Sequence, residues 1–400
     1  MEAKQMSRNG LNIERLYYKD SHLKEFEAVV LSCEEKTGAK GEKDGFWVVL
    51  DRTAFFPEGG GQFGDIGWLE DVEVTDTREV GGVICHETKK PLVSGSIVKG
   101  KLNFDVRFDR MQQHTGEHIL SGLVHNLYGY DNVGFHLGDE ITTLDFNGEL
   151  TEEQVQDLEF RANRAVFENV PVQVLYPTKE QLKQVDYRSK IEIEGQIRIV
   201  SIPGYDICAC CAPHADRSGE VGMIKIISCE RHRGGCRMTI LCGFRALEDY
   251  RRKQQSVTEV SVALSAKPDK IGKAVRHLKE QQNGTREQLN RVQELYLLQK
   301  LEQLTPEDRN ICIFEKELDH IAARNFVNRA VEKCGGVCGI FIGTDTDGYH
   351  YILGSRSVDM RIFSKTLNEM FHGKGGGKPE MVQGSLTGLE EKIRNVIMEA

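Results

Sequence analysis

Two histidines four residues apart are the residues of this sequence most suited to holding a metal ion. His114 and His118 lie in the segment 110–122, RMQQHTGEHILSG, whose apolar spacing predicts a helix. The i, i+4 spacing puts both imidazoles on one helical face, where a single ion can take both. Two ligands rarely hold zinc, and Cys210 and His214 repeat the same spacing in DICACCAPH. Thiolate and imidazole both suit zinc, so this second pair is the candidate for the remaining ligands.

The HTGEH motif by itself is compatible with three interpretations. It matches H-x-x-E-H, the inverted zinc-protease motif, in which Glu117 would be the general base. It also matches the HxxxH pair of hydrolases that act on aminoacyl esters, and it could be a helix with two ordinary histidines. The second pair, Cys210 and His214, argues against ordinary histidines. It also argues against the peptidase, which needs a distant carboxylate as its third ligand.

The composition limits the class of protein. With 400 residues, of which 39% are hydrophobic, the chain is long enough for about two to four domains with buried cores. It has no apolar run of membrane-spanning length, and its N-terminus, MEAKQMSRNG, carries no export signature. The 11 cysteines are mostly scattered singly, which in an intracellular chain favours thiols and metal ligands over disulfides. We therefore expect a cytoplasmic protein.

The order of the elements indicates an α+β protein with several domains. Residues 1–95 are rich in short strand signals, among them 67–74, and predict a small N-terminal β-barrel with a glycine-rich motif between its strands. Residues 96–243 alternate helices and strands and predict an α+β domain that contains the metal-binding residues. Its predicted elements include a metal-binding helix at 109–129, a strand at 136–146, and a helix at 151–168 opened by a capping box of Thr151 and Gln154.

Residues 244–305 change to helical spacing throughout. Apolar positions step by three and four on both sides of a break at 265–269, which predicts an antiparallel helical hairpin. The same pattern fits two amphipathic helices packed on a core. The phase is kept across Asn283 and Gly284, so we favour one long second helix. Residues 306–400 predict a C-terminal α/β domain with a helix at 317–334, a hairpin turn at 345–348, the sequence GKGGGKP at 373–379 and a closing helix at 386–398.

Three motifs resemble one known family. HTGEHILSG, CCAPH followed by SGEVG, and PEGGGQFGDIG are similar to the editing half of alanyl-tRNA synthetase and most closely to its free-standing relatives, the AlaX alanyl-tRNA editing proteins. The helical hairpin and GKGGGKPEMVQGS resemble the DHHA-type C-terminal domain of the synthetase, a combination typical of the long AlaX form. The resemblance covers nearly the whole chain, with the motifs in the family's order.

The resemblance implies one zinc ion per chain, held by His114, His118, Cys210 and His214. It also implies that the glycine-rich stretch belongs to a barrel beside the editing pocket. One departure concerns the sulfur ligand. The family loop usually has a single cysteine followed by two glycines, Thr and His, whereas this chain has CCAPH with a further cysteine nearby. Cys210 keeps the family spacing to His214, but Cys208 or Cys211 could replace it.

The implied reaction is hydrolysis of the ester that joins a wrong amino acid, serine or glycine, to tRNA(Ala). The hydrophobic pocket that selects alanine for charging discriminates poorly against serine and glycine, so a second, hydrolytic site is needed. Zinc could orient the substrate, polarise its carbonyl or activate water, and the sequence leaves all three open. The candidate catalytic residues are His136, where the family has a residue that contacts substrate, Glu117 as a general base, and Gln62.

Substrate contacts are expected from a wider set of residues. Gly59, Gly60 and Gly61 could line the path of the acceptor end through their N–H groups or simply form a structural turn. Thr142 and Thr143, on the same predicted strand as His136, are candidates to contact the serine hydroxyl. Lys374 and Lys378, beside the triple glycine, are candidates to contact RNA backbone. The C-terminal domain, by resemblance, grips tRNA or forms a homodimer.

A basic patch is the predicted tRNA footprint. The net charge of −9 argues against a non-specific nucleic-acid binder, but RNA binding needs only a local positive face. Eight basic residues within 225–253 could form one, or could be a solvated charged surface: Lys225, Arg231, Arg233, Arg237, Arg245, Arg251, Arg252 and Lys253.

We expect a trans-acting alanyl-tRNA editing hydrolase without ligase activity. The roughly 95 residues that include the predicted barrel cannot also house a class II aminoacylation core. Two alternatives stay open at this point. One is a tRNA-binding module whose zinc is structural, and the other is a zinc peptidase built on HTGEH.

Overall fold

The computed structural model describes residues 13–37, 43–189, 197–305 and 307–400. The chain divides into two compact units, Met1–Ser256 and Val257–Ala400, each with helices and sheets, so the α+β class with several sheets is confirmed. The N-terminal segment in which no export signal is expected lies outside the described residues. Within the described ranges, no helix has both the length and the apolar character needed to cross a bilayer.

The first unit begins with a ring of antiparallel strands. Six strands hydrogen-bond in a closed barrel, in the order β2-β3-β7-β6-β5-β8, and side chains such as Val30, Val48 and Val74 fill its interior. A short parallel pair, β1 and β4, lies outside this ring, and a 3-10 helix spans Leu16–Tyr18. The strands are β1 Glu14–Arg15, β2 Glu25–Thr37, β3 Lys43–Leu50, β4 Arg52–Thr53, β5 Gly67–Leu69, β6 Val72–Val80, β7 Val83–Thr88 and β8 Ile97–Leu102.

Two details of this ring differ from the sequence interpretation. The predicted single strand at 67–74 is wrong: it is two strands, β5 and β6, that reverse at Glu70 in the left-handed conformation (φ 53°). Glu70 and Asp71 lack the glycine or asparagine that usually marks such a turn. Strand β8, which lies beyond the predicted boundary at residue 95, completes the ring by pairing with β2 and β5.

The rest of the first unit packs helices against two antiparallel sheets. One sheet has the order β14-β15-β10-β9, the other the order β11-β12-β13. Ile119, Leu144, Leu158 and Met238 lie in their shared core. The elements are α1 Phe104–Tyr128, β9 Asn132–Leu137, β10 Thr142–Phe146, α2 Glu152–Glu168, β11 Gln173–Leu175, α3 Lys179–Leu182, β12 Ile199–Ile202, β13 Asp206–Ala209, a 3-10 helix Ser218–Val221, β14 Ile224–His232 and β15 Gly235–Cys242.

The predicted strand at 136–146 is also wrong. The chain reverses there, and β9 and β10 form an antiparallel hairpin closed by a hydrogen bond from Gly138 N to Ile141 O (3.0 Å). Thr142 and Thr143 therefore lie on the strand next to His136, with Thr143 directly opposite it. The capping box of Thr151 and Gln154 at the start of α2 is confirmed.

Helix α1 lies at the centre of the first unit. Asn103 caps it by accepting a hydrogen bond from Val106 N, and Gly129 ends it in the left-handed conformation. The side chains of its middle turns are buried all round, because the helix lies between the barrel and the sheets. Arg107 forms a fully buried ion pair with Asp65 of the barrel segment and donates to Ala54 O (2.6 Å). These contacts fix α1 against the barrel.

The second unit has a five-stranded sheet in the order β16-β17-β18-β20-β19, in which only β16 and β17 pair in parallel. The predicted turn at 345–348 joins β17 and β18 and is confirmed. The predicted helix at 317–334 is shorter, and the GKGGGKP segment forms an edge strand. The elements are β16 Ile311–Glu315, α6 His320–Ala330, β17 Cys338–Thr344, β18 Gly348–Gly354, α7 Met360–Met370, β19 Lys374–Lys378, β20 Met381–Leu386 and α8 Glu390–Met398.

Two long helices occupy the segment of the predicted hairpin. Helix α4 spans Gly243–Ala263, a 3-10 turn follows at Pro268–Lys270, and α5 spans Ile271–Glu302. Helix α5 continues through Asn283 and Gly284, which confirms the single long helix. The division between the two units falls within α4, and the antiparallel packing of α4 on α5 stays a prediction.

Candidate metal centre and active site

The four predicted metal-binding side chains come together in the first unit. The ligand atoms of His114, His118, Cys210 and His214 all lie within 4.8 Å of one another. The Cys210 Sγ atom is 3.3 Å from His214 Nε2 and 3.6 Å from His114 Nε2. The three histidines are buried and Cys210 is partly buried. Three imidazole nitrogens and one sulfur around a common point are a donor set that suits zinc.

The loop that carries Cys210 and His214 is tied to its surroundings by buried hydrogen bonds. Arg198, just before strand β12, donates from Nη1 to the main-chain oxygens of Cys210 (2.8 Å) and Ala212 (3.0 Å). Ala215 N donates to the Thr115 hydroxyl of α1 (3.1 Å). The loop pair is therefore held opposite the helix pair by contacts on both of its sides.

Each imidazole of the cluster has a polar partner at its other nitrogen. His114 Nδ1 lies 3.0 Å from Gln62 Oε1, His118 Nδ1 lies 2.8 Å from Asp206 Oδ2, and His214 Nδ1 lies 3.3 Å from Thr115 Oγ1. If Nδ1 carries the proton in each ring, every Nε2 presents a lone pair to the cluster. Metal-binding histidines in proteins are oriented in this way, so the residues present fit a bound metal ion.

Asp206 is a residue that sequence reasoning missed. Arg188 donates to its two carboxylate oxygens, from Nε to Oδ1 (2.8 Å) and from Nη2 to Oδ2 (2.9 Å). Asp206 thus joins the guanidinium of Arg188 to the imidazole of His118. The signal available in the sequence was an acidic residue four positions before Cys210, inside the loop segment already singled out.

The three neighbouring cysteines have different environments. Burial tends to raise the pKa of Cys210, but the imidazoles of His114 and His214 outweigh it and hold that pKa well below its usual value. Burial raises the pKa of Cys208, and it raises the pKa of Cys211 to about 11. The thiolate, not the thiol, binds metal, so these environments favour Cys210 as the sulfur ligand.

Cys208 belongs to a second group of possible metal-binding side chains. It lies with His118 and Asp206, and the ligand atoms of these three are within 4.8 Å of one another. The guanidinium of Arg188 already places a positive charge on Asp206 there. A cation at this second position would be repelled by that guanidinium, so of these two overlapping groups the geometry favours the four-residue cluster.

Glu117 faces the cluster from α1. Its Oε1 accepts hydrogen bonds from Ser121 Oγ (2.7 Å) and Asn132 Nδ2 (2.8 Å), and its Oε2 lies 3.8 Å from His118 Nε2. The carboxylate is fully buried. The helix therefore brings a Glu117 oxygen close to the His118 nitrogen that faces the cluster, and its role as a general base stays a prediction.

The glycine-rich loop reverses the chain beside the cluster. Gly60 and Gly61 both have positive φ (60° and 81°), and Gly59 and Gln62 exchange two main-chain hydrogen bonds across this turn. Such a turn needs residues that tolerate the left-handed region. A Cβ on Gly61 would come within 2.7 Å of the Phe135 ring. The turn directs the buried side chain of Gln62 to His114, so Gln62 supports a candidate ligand.

His136, a candidate catalytic residue of the sequence analysis, is not the β9 side chain that packs on the cluster, and its contact with substrate stays a prediction. Phe135, its neighbour on β9, packs on the His114 ring with their centroids 4.8 Å apart. His136 is exposed and lies edge-on to Phe63, with centroids 6.4 Å apart. Thr143 is partly buried, and Thr142 is fully buried with no hydrogen-bond partner for its hydroxyl in the described part of the chain.

Most of the predicted basic patch is paired with acidic side chains. Arg237 makes two hydrogen bonds to Asp145, and Arg231 pairs with Glu149. Arg233 lies at the turn between β14 and β15 in the left-handed conformation. Acidic partners also lie within 4 Å of Lys225, Arg245, Arg251, Arg252 and Lys253. In the second unit, Lys374 and Lys378 are exposed at the two ends of β19.

Comparisons with protein families cover most of the chain. Residues 2–106 match a family described as tRNA synthetases class II (A). Residues 197–237, which include Cys210 and His214, match the threonyl and alanyl tRNA synthetase second additional domain. Residues 308–400 match the DHHA1 domain.

Similar proteins come in two lengths. The chain is 28% identical to the alanyl-tRNA editing protein AlaX-L of Pyrococcus horikoshii, over 97% of this chain and 98% of that protein. It is 28% identical to the alanyl-tRNA editing protein Aarsd1 of Mus musculus, over 94% and 95% of the two chains. It is also 28% identical to the alanine–tRNA ligase of Pyrococcus abyssi, but spans only 43% of that protein. The chain is therefore similar over nearly its whole length to alanyl-tRNA editing proteins, and it is similar to part of the alanine–tRNA ligases.

Proposed function

We propose that this protein removes serine or glycine from mischarged tRNA(Ala) by ester hydrolysis at the cluster of His114, His118, Cys210 and His214. The observation that carries the proposal is this buried cluster, in which every imidazole is oriented by a partner at its other nitrogen. The relatives named alanyl-tRNA editing proteins cover nearly the same length as this chain and supply the substrate class.

We propose that zinc is the ion, one per chain, because nitrogen and sulfur donors in a four-residue set suit it. When bound, zinc supplies a Lewis acid that can orient the substrate, polarise the ester carbonyl or activate water. The chain's own side chains do the rest. In this proposal Glu117, which accepts hydrogen bonds from Ser121 and Asn132, takes a proton from an attacking water. Gln62, Asp206 and Thr115 keep the imidazoles in place.

A second function is favoured by one specific feature. Four protein side chains can fill a tetrahedral zinc site completely, which is typical of structural zinc. In that case the first unit would bind tRNA without turnover. The peptidase alternative is less compatible with the geometry, since Cys210 lies within the cluster and would not be dispensable.

The experiment that tests the proposal is deacylation of Ser-tRNA(Ala), Gly-tRNA(Ala) and Ala-tRNA(Ala), with zinc content measured on the same sample. We expect loss of the serine or glycine ester and retention of the alanine ester. Cys210→Ala should lose both zinc and activity. Cys211→Ala is the matched control, since its side chain lies in the same loop but outside the cluster, and it should keep both. Zinc-replete protein that binds tRNA without deacylating it would establish the structural alternative.

We also propose that the chain does not charge tRNA. The described residues before α1 (13–37 and 43–103) contain the strands of the barrel, although residues 2–106 match a class II synthetase family. Incubation with ATP, alanine and tRNA(Ala) should yield no Ala-tRNA(Ala). Product formation above a protein-free control would overturn this part of the proposal.

A further inference from the structure

An exposed aromatic ring follows directly after the residue that supports His114. Phe63 comes after Gln62 in the glycine-rich loop, and its side chain is 38% exposed although it is large and apolar. The preceding side chain is buried against His114. The loop thus presents Phe63 at the surface within one residue of the candidate hydrolytic site.

Two nitrogen-bearing side chains flank this ring. The guanidinium carbon of Arg110 lies over it, 5.8 Å from the ring centroid, and His136 meets it nearly edge-on, at 79°. Arg110 also donates to the main-chain oxygens of Phe63 (3.5 Å) and Gly64 (2.7 Å). These contacts hold the loop and the ring in one orientation.

The platform formed by Phe63, Arg110 and His136 lies close to the metal-binding helical face. Arg110, His114 and His118 follow one another at four-residue intervals on α1. Arg110 is therefore one turn, about 6 Å along the helix axis, from the first metal-binding histidine. In an aminoacyl-tRNA the ester carbonyl and the terminal base are attached to the same ribose. A site that holds the ester at the cluster must therefore also accommodate the base, at a distance of about one ribose from the ester.

We propose that Phe63, flanked by Arg110 and His136, is the stacking site for the unpaired 3′-terminal adenine of the tRNA. This inference rests on the proposed function and names the base-binding part of that site. Aromatic rings bind unpaired bases by stacking, and a neighbouring arginine strengthens such contacts. Among the described residues, the hydrogen bonds of Arg110 go only to two main-chain oxygens through Nη1. Arg110 is only 8% exposed, so its role in this site is to hold the Phe63 ring and its loop in place.

The proposal explains two features that the metal cluster leaves without a role. One is a phenylalanine that the loop exposes rather than buries. The other is the position of His136, on the side of β9 away from the His114 ring. In this arrangement His136 contacts the base and not the ester.

The test uses the full-length, zinc-loaded protein and compares Phe63→Leu with Phe63→Trp. Leucine keeps an apolar side chain under Arg110 and removes the aromatic face, whereas tryptophan keeps that face. Phe63→Leu should raise KM for Ser-tRNA(Ala) roughly tenfold, within the range known for base–aromatic stacking, with kcat little changed. Phe63→Trp should restore KM. Trp68→Leu is the matched control, because Trp68 is also 38% exposed, and it should behave as the unmodified protein.

A binding measurement separates this proposal from the function on which it rests. Uncharged tRNA(Ala) ending in CCA is compared with the same RNA ending in CC. The unmodified protein should bind the CCA form more tightly, and Phe63→Leu should remove that difference. If Phe63→Leu keeps its preference for CCA and an unchanged KM, the stacking proposal is wrong while the editing function stands. If the unmodified protein binds CCA-ended RNA better but deacylates nothing, the editing function fails and the base site remains.

Discussion

Two arginine–aspartate pairs in the first unit have nearly the same geometry and very different surroundings. Arg188 donates to Asp206 from Nε and Nη2 at 2.8 and 2.9 Å, and Arg237 donates to Asp145 through the same atoms at 2.6 and 2.7 Å. The first pair is buried behind His118, with 11% and 1% of the side chains exposed. The second lies on a sheet, 44% and 21% exposed. Two pairs with the same hydrogen-bond geometry can therefore contribute differently to stability. The contribution depends on burial and on the neighbouring imidazole.

Replacing the aspartates should give the largest contrast. Asp206→Asn leaves the Arg188 guanidinium buried without its counter-charge, so we expect a loss of about 3 kcal/mol in the free energy of unfolding. It also weakens the support of His118, and zinc affinity should fall roughly 10- to 100-fold. Asp145→Asn should change neither quantity appreciably. Denaturant unfolding and competitive zinc titration of both variants measure the contrast, and equal effects would contradict it.

Replacing Arg188 should separate folding from metal binding. Arg188→Met leaves Asp206 buried but still hydrogen-bonded to His118, so the apo protein should lose about 2 kcal/mol of stability. The negative charge of Asp206 is then unopposed and favours a bound cation. Zinc should therefore raise Tm more in this variant than in the unmodified protein. Thermal unfolding with and without zinc checks this, with Arg237→Met as the control, and an identical Tm loss in both forms would refute it.

The exposed pair should show the smallest effect on stability, and acidification should remove it. The hydrogen bond from Arg237 is the largest of the influences that lower the pKa of Asp145. A carboxyl whose folded-state pKa is depressed stabilises the fold above its ordinary pKa, about 3.9, and loses that contribution as the pH falls through the depressed value. The small stability difference between the unmodified protein and Asp145→Asn should therefore vanish on acidification below pH 4. A difference that grew with acidification would have the wrong sign.

The sequence was most informative where chemistry and helical spacing coincide. His114, His118, Cys210 and His214 could be picked out because two i, i+4 pairs of zinc-binding residue types are rare and match a family pattern. Residue type and spacing made the second pair the candidate for the remaining ligands, and the resemblance implied that all four bind one ion. The structure adds the packing of β13 beside α1, which places Asp206 against His118. No periodicity in the sequence indicates that contact.

The sequence could not predict how residues of β9 and β10 pair in their hairpin. Taking 136–146 as one strand put His136, Thr142 and Thr143 in line, whereas the turn at Gly138 sets them on adjacent strands. Side chains alternate along a strand, so the ring next to His114 belongs to Phe135 and not to His136. The sequence predicted a catalytic role for Gln62, whereas the structure shows its contact with His114, which depends on a turn whose conformation only the three-dimensional packing defines.

The junction between the barrel and α1, the helix that carries His114 and His118, limits how this protein can be divided. Only Asn103 separates the last strand of the ring from α1. Its N–H donates to Ile66 O (2.8 Å), and its side chain caps the helix. A fragment that starts at residue 96 would contain β8, the strand that closes the ring, without the other strands. A fragment that ends there would lack β8 and leave β2 and β5 each with an unpaired edge. Recombination in evolution, or transfer to another protein in the laboratory, should therefore keep the barrel and α1 together as one unit.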